Sequence, residues 1–295
     1  MKSPILKLEE GISAVAFNIA PEKVAECVGI RDRNEISIEF TDDKGFAIRV
    51  NLDSNTILLP ICSLEYLWAF SHYCWVLTQE YAHAQRSKAH QFDCLGNSRL
   101  RDSYKIMDWA KYNLSATDTS KWPPNLPVPK MDPEHCSDIH VANELFLSAL
   151  GWMVHHEIGH IVLEHSRTTT PLAEKEEKEA DLYATDWILS GIETEDHLKV
   201  KRAHGIAVGV LCLQSLEIEN RSCLRNTHPN ANDRINYCLS RHKVGDNEVI
   251  EAFCTVVLQF LFSSKNIKAN VDGDSFEKIM IDILIDISRL KNSTF

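Results

Sequence analysis

His156, Glu157 and His160 are spaced as H-E-x-x-H within an apolar run, with Ala149 to Val154 before them and Ile161 to Leu163 after. Helical residues four apart share a face and stand about 6 Å apart along the axis. Two imidazoles placed this way can grip one zinc ion. A glutamate about 100° round the helix can then work on water held at that ion. Hydrolysis of a peptide bond with the help of a metal needs these groups.

Thirteen histidines make a chance match conceivable, so the motif needs support elsewhere in the chain. A catalytic zinc takes three protein ligands and keeps a fourth position open. Sixteen residues separate His160 from Glu177, in the segment Glu177-Lys178-Glu179-Ala180-Asp181. Glu177 and Asp181 share a helix face that continues through Ala184 and Ile188. Glu177 can supply the third ligand, while Asp181 accepts the spare ring N–H of a ligand histidine and fixes its tautomer. Glu174, Glu176 and Glu179 are rivals for the ligand role. A solvated charged face accounts for Lys175, Glu176 and Lys178. It accounts poorly for Asp181, which leads into Leu182, Trp187, Ile188 and Leu189.

A further segment is Thr227-His228-Pro229-Asn230-Ala231-Asn232-Asp233-Arg234-Ile235. The proline holds His228 in an extended or turn conformation. A histidine so placed near the reacting carbonyl stabilises an oxyanion, and Arg234, on the helix that follows, can orient an acidic partner or the substrate chain. An ordinary helix start with an exposed His228 fits the same residues.

H-E-x-x-H followed by E-x-x-x-D resembles the pattern of the gluzincin metallopeptidases. The T-H-P-x-x-x-x-R-I segment is similar to one in membrane zinc proteases of the HtpX type, which carry long transmembrane helices that this sequence lacks. Size, a central motif and a preceding mixed α/β region make the chain more similar to the phage-exclusion proteases of the Lit family, peptidase U49. The motif resemblance spans roughly Ala149 to Tyr237, and the first 130 residues share only size and layout. It implies that His156, His160 and Glu177 bind zinc, Glu157 is the general base, His228 stabilises the transition state and Arg234 supports it. It also implies a cytoplasmic enzyme of abortive infection, set off by a phage component, that cleaves a translation factor, elongation factor Tu. The ImmA/IrrE-type regulatory proteases, which cut repressors, are an alternative, but they usually carry E-x-x-A-N where this chain has Asp181. A non-enzymatic helical binding protein with a structural zinc, closed by Cys136 or Cys223, is another.

A chain of 295 residues, 44% hydrophobic, can build a large core. The net charge of -11 argues against nucleic acid and anionic membranes as partners. It suits a protein substrate and an activating protein or peptide. Nine cysteines, an odd number without a C-x-x-C pair, fit reduced thiols in a cytoplasm. Cys212 and Cys254 sit in apolar runs and read as core residues. No apolar signal segment opens the sequence, and no apolar run reaches the eighteen or so residues of a membrane span.

The expected fold is α+β and mostly helical: a mixed α/β region with a small antiparallel sheet over residues 1–130, then a helical zincin-like metallopeptidase domain over 131–295. Alternation at 35–40 and 46–50 around the Thr41–Gly45 turn predicts a hairpin, with a third strand at 56–60. Helices are expected near 63–85, 102–113, 138–166, 172–192, 195–219, 231–242, 246–264 and 274–291, with a loop at 87–100. Prolines at 123, 124, 127, 129 and 133 exclude regular structure from Ser115 to Pro133, leaving a linker or an ordered loop beside the cleft. His155 is expected near the site or at the surface, and His165 out of reach of the ion.

Overall fold

The computed structural model describes residues 2–88, 92, 96–117, 120–166, 171–194, 196–219, 231–242, 244, 247–263 and 275–292. Short helices α1 (Glu9–Ser13), α2 (Val15–Asn18) and α3 (Val24–Arg33) lead into strands β1 (Ser37–Thr41), β2 (Arg49–Asn51) and β3 (Thr56–Pro60). Helices follow: α4 (Ile61–Arg86), α5 (Ser98–Ser115), α6 (Asp138–Val162), α7 (Pro171–Leu189), α8 (His197–Glu219), α9 (Ala231–Ser240), α10 (Asn247–Ser263) and α11 (Phe276–Asn292). The architecture is α+β and mostly helical.

The sheet differs from the expected hairpin. Its order is β1-β3-β2, with β1 parallel to β3 and β2 antiparallel to it. The reason is burial. Ile57 and Leu59 of β3 are fully buried, so the most apolar strand takes the centre and both mixed-polarity strands become edges. Residues 42–48 form no tight turn between β1 and β2; the Gly45 N–H reaches Leu114 O at 2.7 Å. The hairpin instead joins β2 to β3 through Leu52–Asn55, where Asn55 takes a positive φ of 48°.

Helix α6 is the axis of the molecule and packs on α4, α7 and α8. Ser137 starts it, its hydroxyl accepting from the His140 N–H at 3.2 Å. Buried residues lie on every side of its second half, as suits a helix enclosed by others. Two close approaches set its neighbours. A Cβ at Gly159 would lie 3.1 Å from Tyr183 Cδ1 and 3.3 Å from Ala180 Cα, so glycine lets α7 come close. A Cβ at Gly205 would lie 2.3 Å from Ser148 Cβ, so α8 is equally close on the other side.

Helix α5 starts four residues earlier than its polarity pattern predicts, because the Asn97 side chain caps it by accepting from the Leu100 N–H at 3.0 Å. The described part of the proline-rich stretch is an ordered strap. Trp122 donates to Pro127 O at 3.1 Å and packs on Trp109 and Trp68, and Asn143 of α6 donates to Lys130 O at 2.8 Å. Cys212 and Cys254 are fully buried. Among the described residues no helix is long and apolar enough to cross a membrane.

Candidate active site

His156 and His160 lie one turn apart on α6, and α7 crosses that turn with Glu177 facing them. One ligand atom from each of the three falls within 4.8 Å of the others, a group able to hold a metal ion. His156 Nε2 is 3.1 Å from His160 Nε2 and 3.3 Å from Glu177 Oε2, and His160 Nε2 is 3.6 Å from Glu177 Oε1. Two of the three rivals are engaged elsewhere: Glu176 accepts from the Ser166 N–H at 3.2 Å, and Glu179 lies 3.4 Å from both Lys175 Nζ and His165 Nε2.

Asp181 sits one turn after Glu177, fully buried. His156 Nδ1 is 2.8 Å from its Oδ1. Arg234 of α9 donates to it twice, through Nε at 2.8 Å and Nη2 at 2.5 Å. The Tyr237 hydroxyl donates to its other oxygen. Arg234 also lies over the Trp152 ring, 5.6 Å from its centroid. A charge so enclosed is tolerable only because every lone pair has a donor. Burial works to raise the Asp181 pKa; the Arg234 charge and the His156 hydrogen bond outweigh it and hold the pKa below the usual carboxylate range.

The donor set fits a cation. With His156 Nδ1–H given to Asp181, the lone pair of His156 Nε2 faces the lone pairs of His160 Nε2 and of Glu177, and only a proton or a metal ion can sit among them. Burial opposes charge on His156, but hydrogen bonds to Asp181 and Glu177 prevail and raise its pKa. His160 moves the opposite way, through burial first and then repulsion from His156.

Glu157 faces the strands. Its Oε2 accepts the Val50 N–H at 2.8 Å, so edge strand β2 lies directly against the carboxylate. The site opens into a cavity of about 410 Å³ with Phe46, Ile48, Leu114, Met153 and Leu213 on its apolar walls and His156, Glu157, Glu177 and Arg234 on its polar side.

The structure thus brings together His156, Glu157, His160, Glu177, Asp181 and Arg234. His228 lies outside the described residues, as does Cys223. Cys136 is exposed and, among the described residues, the metal-capable group holds no cysteine. His155 is not at the surface, and its ring turns to Ala16 and Trp187 instead of the metal-capable group. It is fully enclosed, stacks on Trp187 at 5.0 Å and bonds Ala16 O at 3.0 Å, because α2 and α7 cover that side of α6. His165 is outside the metal-capable group, yet its Nδ1 lies 2.9 Å from His160 Nδ1. Sequence inspection missed Tyr237 and Val50. Tyr237 carries a usable signal, since it stands three residues after Arg234 and so shares its face; Val50 donates through its backbone and carries none.

Fold and site together define a class: a mostly helical protein with a candidate metal centre on its central helix. The chain belongs to the Peptidase U49 family, whose model matches residues 57–254. The "Cell death peptidase" of Escherichia coli (strain K12) is 47% identical over 298 residues, covering 99% of this chain and 100% of that protein. No solved structure matches. A protease has a protein substrate. The family match favours this group over the repressor-cutting and non-enzymatic alternatives.

Proposed function

We propose that this chain is a zinc-dependent endopeptidase of the cytoplasm that cleaves an intracellular protein and thereby shuts down the cell that makes it. The convergence of His156, His160 and Glu177 beside Glu157 carries the proposal. Zinc held by those three side chains would supply a Lewis acid that polarises a peptide carbonyl and acidifies water. Glu157 takes the proton of the attacking water and passes it to the leaving amine. Asp181 holds His156 in the Nδ1–H tautomer, leaving Nε2 free for the ion, and Arg234 holds Asp181. His228, by its likeness to the HtpX-type segment, steadies the oxyanion.

The name of the Escherichia coli relative and the family resemblance support an abortive-infection role, with a translation factor such as elongation factor Tu as substrate. An enzyme of that kind must stay silent until needed, so an activating protein or peptide belongs to the proposal. The first 130 residues serve substrate binding or this control, and β2 against Glu157 is where they touch the chemistry. The test compares new protein N-termini in cells expressing wild type and Glu157→Gln. A cut in one abundant cytoplasmic protein, present only with wild type, is expected. Identical N-terminal profiles, with and without phage infection, would overturn the endopeptidase assignment.

A further inference from the structure

Helix α6 ends in a backbone device that returns His165 to the face of His160. Glu164 takes a positive φ of 53°. The His165 N–H bonds His160 O at 3.0 Å and the Glu164 N–H bonds Ile161 O at 3.1 Å. That pair of bonds is a Schellman end, which usually places glycine where Glu164 stands. A side chain in this left-handed region costs about 1 kcal/mol. The turn folds the chain back, so a residue five positions on, which a continuing helix would carry away, meets His160 edge-on at 5.0 Å between ring centroids.

We infer that His165, backed by Glu179, positions the second metal-binding histidine. The inference rests on His156, His160 and Glu177 being the metal ligands. Proton bookkeeping supports it. His160 faces His156 and Glu177 through Nε2, so binding a cation there leaves its one ring proton on Nδ1. That nitrogen is 2.9 Å from His165 Nδ1, which must therefore accept. The proton of His165 then sits on Nε2, 3.4 Å from Glu179 Oε2. This Nε2 is buried with no other hydrogen-bond partner among the described residues, so Glu179 is the described group that can receive it after a small closing movement. The two ligand histidines are thus held by different means: His156 by a buried carboxylate directly, His160 by a second histidine that hands the contact to a carboxylate. His165 is a positioning residue and touches neither ion nor substrate. Groups that orient ligand imidazoles typically matter by 10- to 100-fold in metal affinity.

The experiment measures zinc affinity of the full chain by competition with a chromophoric chelator, for wild type, His165→Leu, His165→Gln, His160→Ala and Glu177→Gln. His165→Leu should bind zinc about 10- to 100-fold more weakly, with metal-free melting close to wild type. His165→Gln, whose amide oxygen can accept from Nδ1–H, should recover most of that loss. Wild-type affinity in His165→Leu, with weak binding in His160→Ala and Glu177→Gln, would sink the positioning role and leave the metal centre standing. Unchanged affinity in all four variants would instead remove the centre, and this inference with it. Nitrogen-15 spectra of the zinc-loaded wild type decide the matter should the leucine variant not fold. A proton on Nδ1 of His160 and on Nε2 of His165 is expected, and a proton on Nδ1 of His165 overturns the relay.

Discussion

Asp181 and Arg234 face each other in the interior through two hydrogen bonds, one from Nε to Oδ2 at 2.8 Å and one from Nη2 to Oδ1 at 2.5 Å. They join α7 to α9, and through His156 they tie both to α6. Removing one member of such a pair leaves a buried charge without compensation, which costs about 3–5 kcal/mol. Arg234→Met should therefore lower stability by about that amount in chemical denaturation. A loss below about 1 kcal/mol would show that Asp181 is neutral or solvated in the fold.

Glu157 lines the cleft but lies outside the three-residue metal group. Glu157→Gln keeps the shape and can still accept the Val50 N–H. It should fold normally, bind zinc with wild-type affinity and lose peptide cleavage by at least 100-fold, the usual scale for a general base. Cleavage at the wild-type rate would assign the proton transfer to another group.

Chelation should abolish cleavage, and zinc should restore it. Because the ion binds the folded site alone, zinc at about 100 times its dissociation constant should add roughly 2.7 kcal/mol of stability. The thermal midpoint of wild type should rise with zinc and that of His160→Ala should not. Equal shifts in both would place the ion elsewhere.

Gly159 lets α7 approach α6, and Glu177 rides on α7. Gly159→Ala places a methyl 3.1 Å from Tyr183 and 3.3 Å from the Ala180 backbone. Overpacking of this kind costs about 1–3 kcal/mol. The helices should part slightly, so zinc affinity falls together with stability. Unchanged zinc affinity would show that Glu177 follows the histidines independently of the helix contact.

His72 is buried on α4, stacks on Trp68 and bonds Ser103 Oγ at 2.7 Å. Burial pushes its pKa down to about 4. The folded protein keeps it neutral, while the unfolded chain protonates it below about 6.5. Its contribution is complete above that pH and is lost as pH falls toward 4, a change of about 3 kcal/mol in full. His72→Gln should flatten the acid side of the stability profile between those limits. An unaltered slope would mean that the ring is already charged in the fold.

The residues that can hold the metal were legible because helical spacing is a local property. His156, His160, Glu177 and Asp181 declare their faces through intervals of four, and the apolar runs around them declare burial. Helices α4 and α7 to α11 fall close to their patterned positions for the same reason, while α6 starts where expected and stops at Val162, four residues early, at its left-handed end. The start of α5 was misjudged because its cap, Asn97, is a single side-chain contact.

What neighbours what across long stretches of chain was settled only by tertiary packing. Strand order followed from β3 winning the buried centre, a competition among segments that no single segment's alternation reveals. Tyr237 and Arg234 meet Asp181 because α9 docks on α7 and α8. Val50 reaches Glu157 with a backbone N–H, which every residue but proline owns. His165 meets His160 because one residue turns left-handed, reversing a direction that regular periodicity assumes. Periodicity tells which way a side chain faces on its own helix; only the packed fold tells what stands opposite.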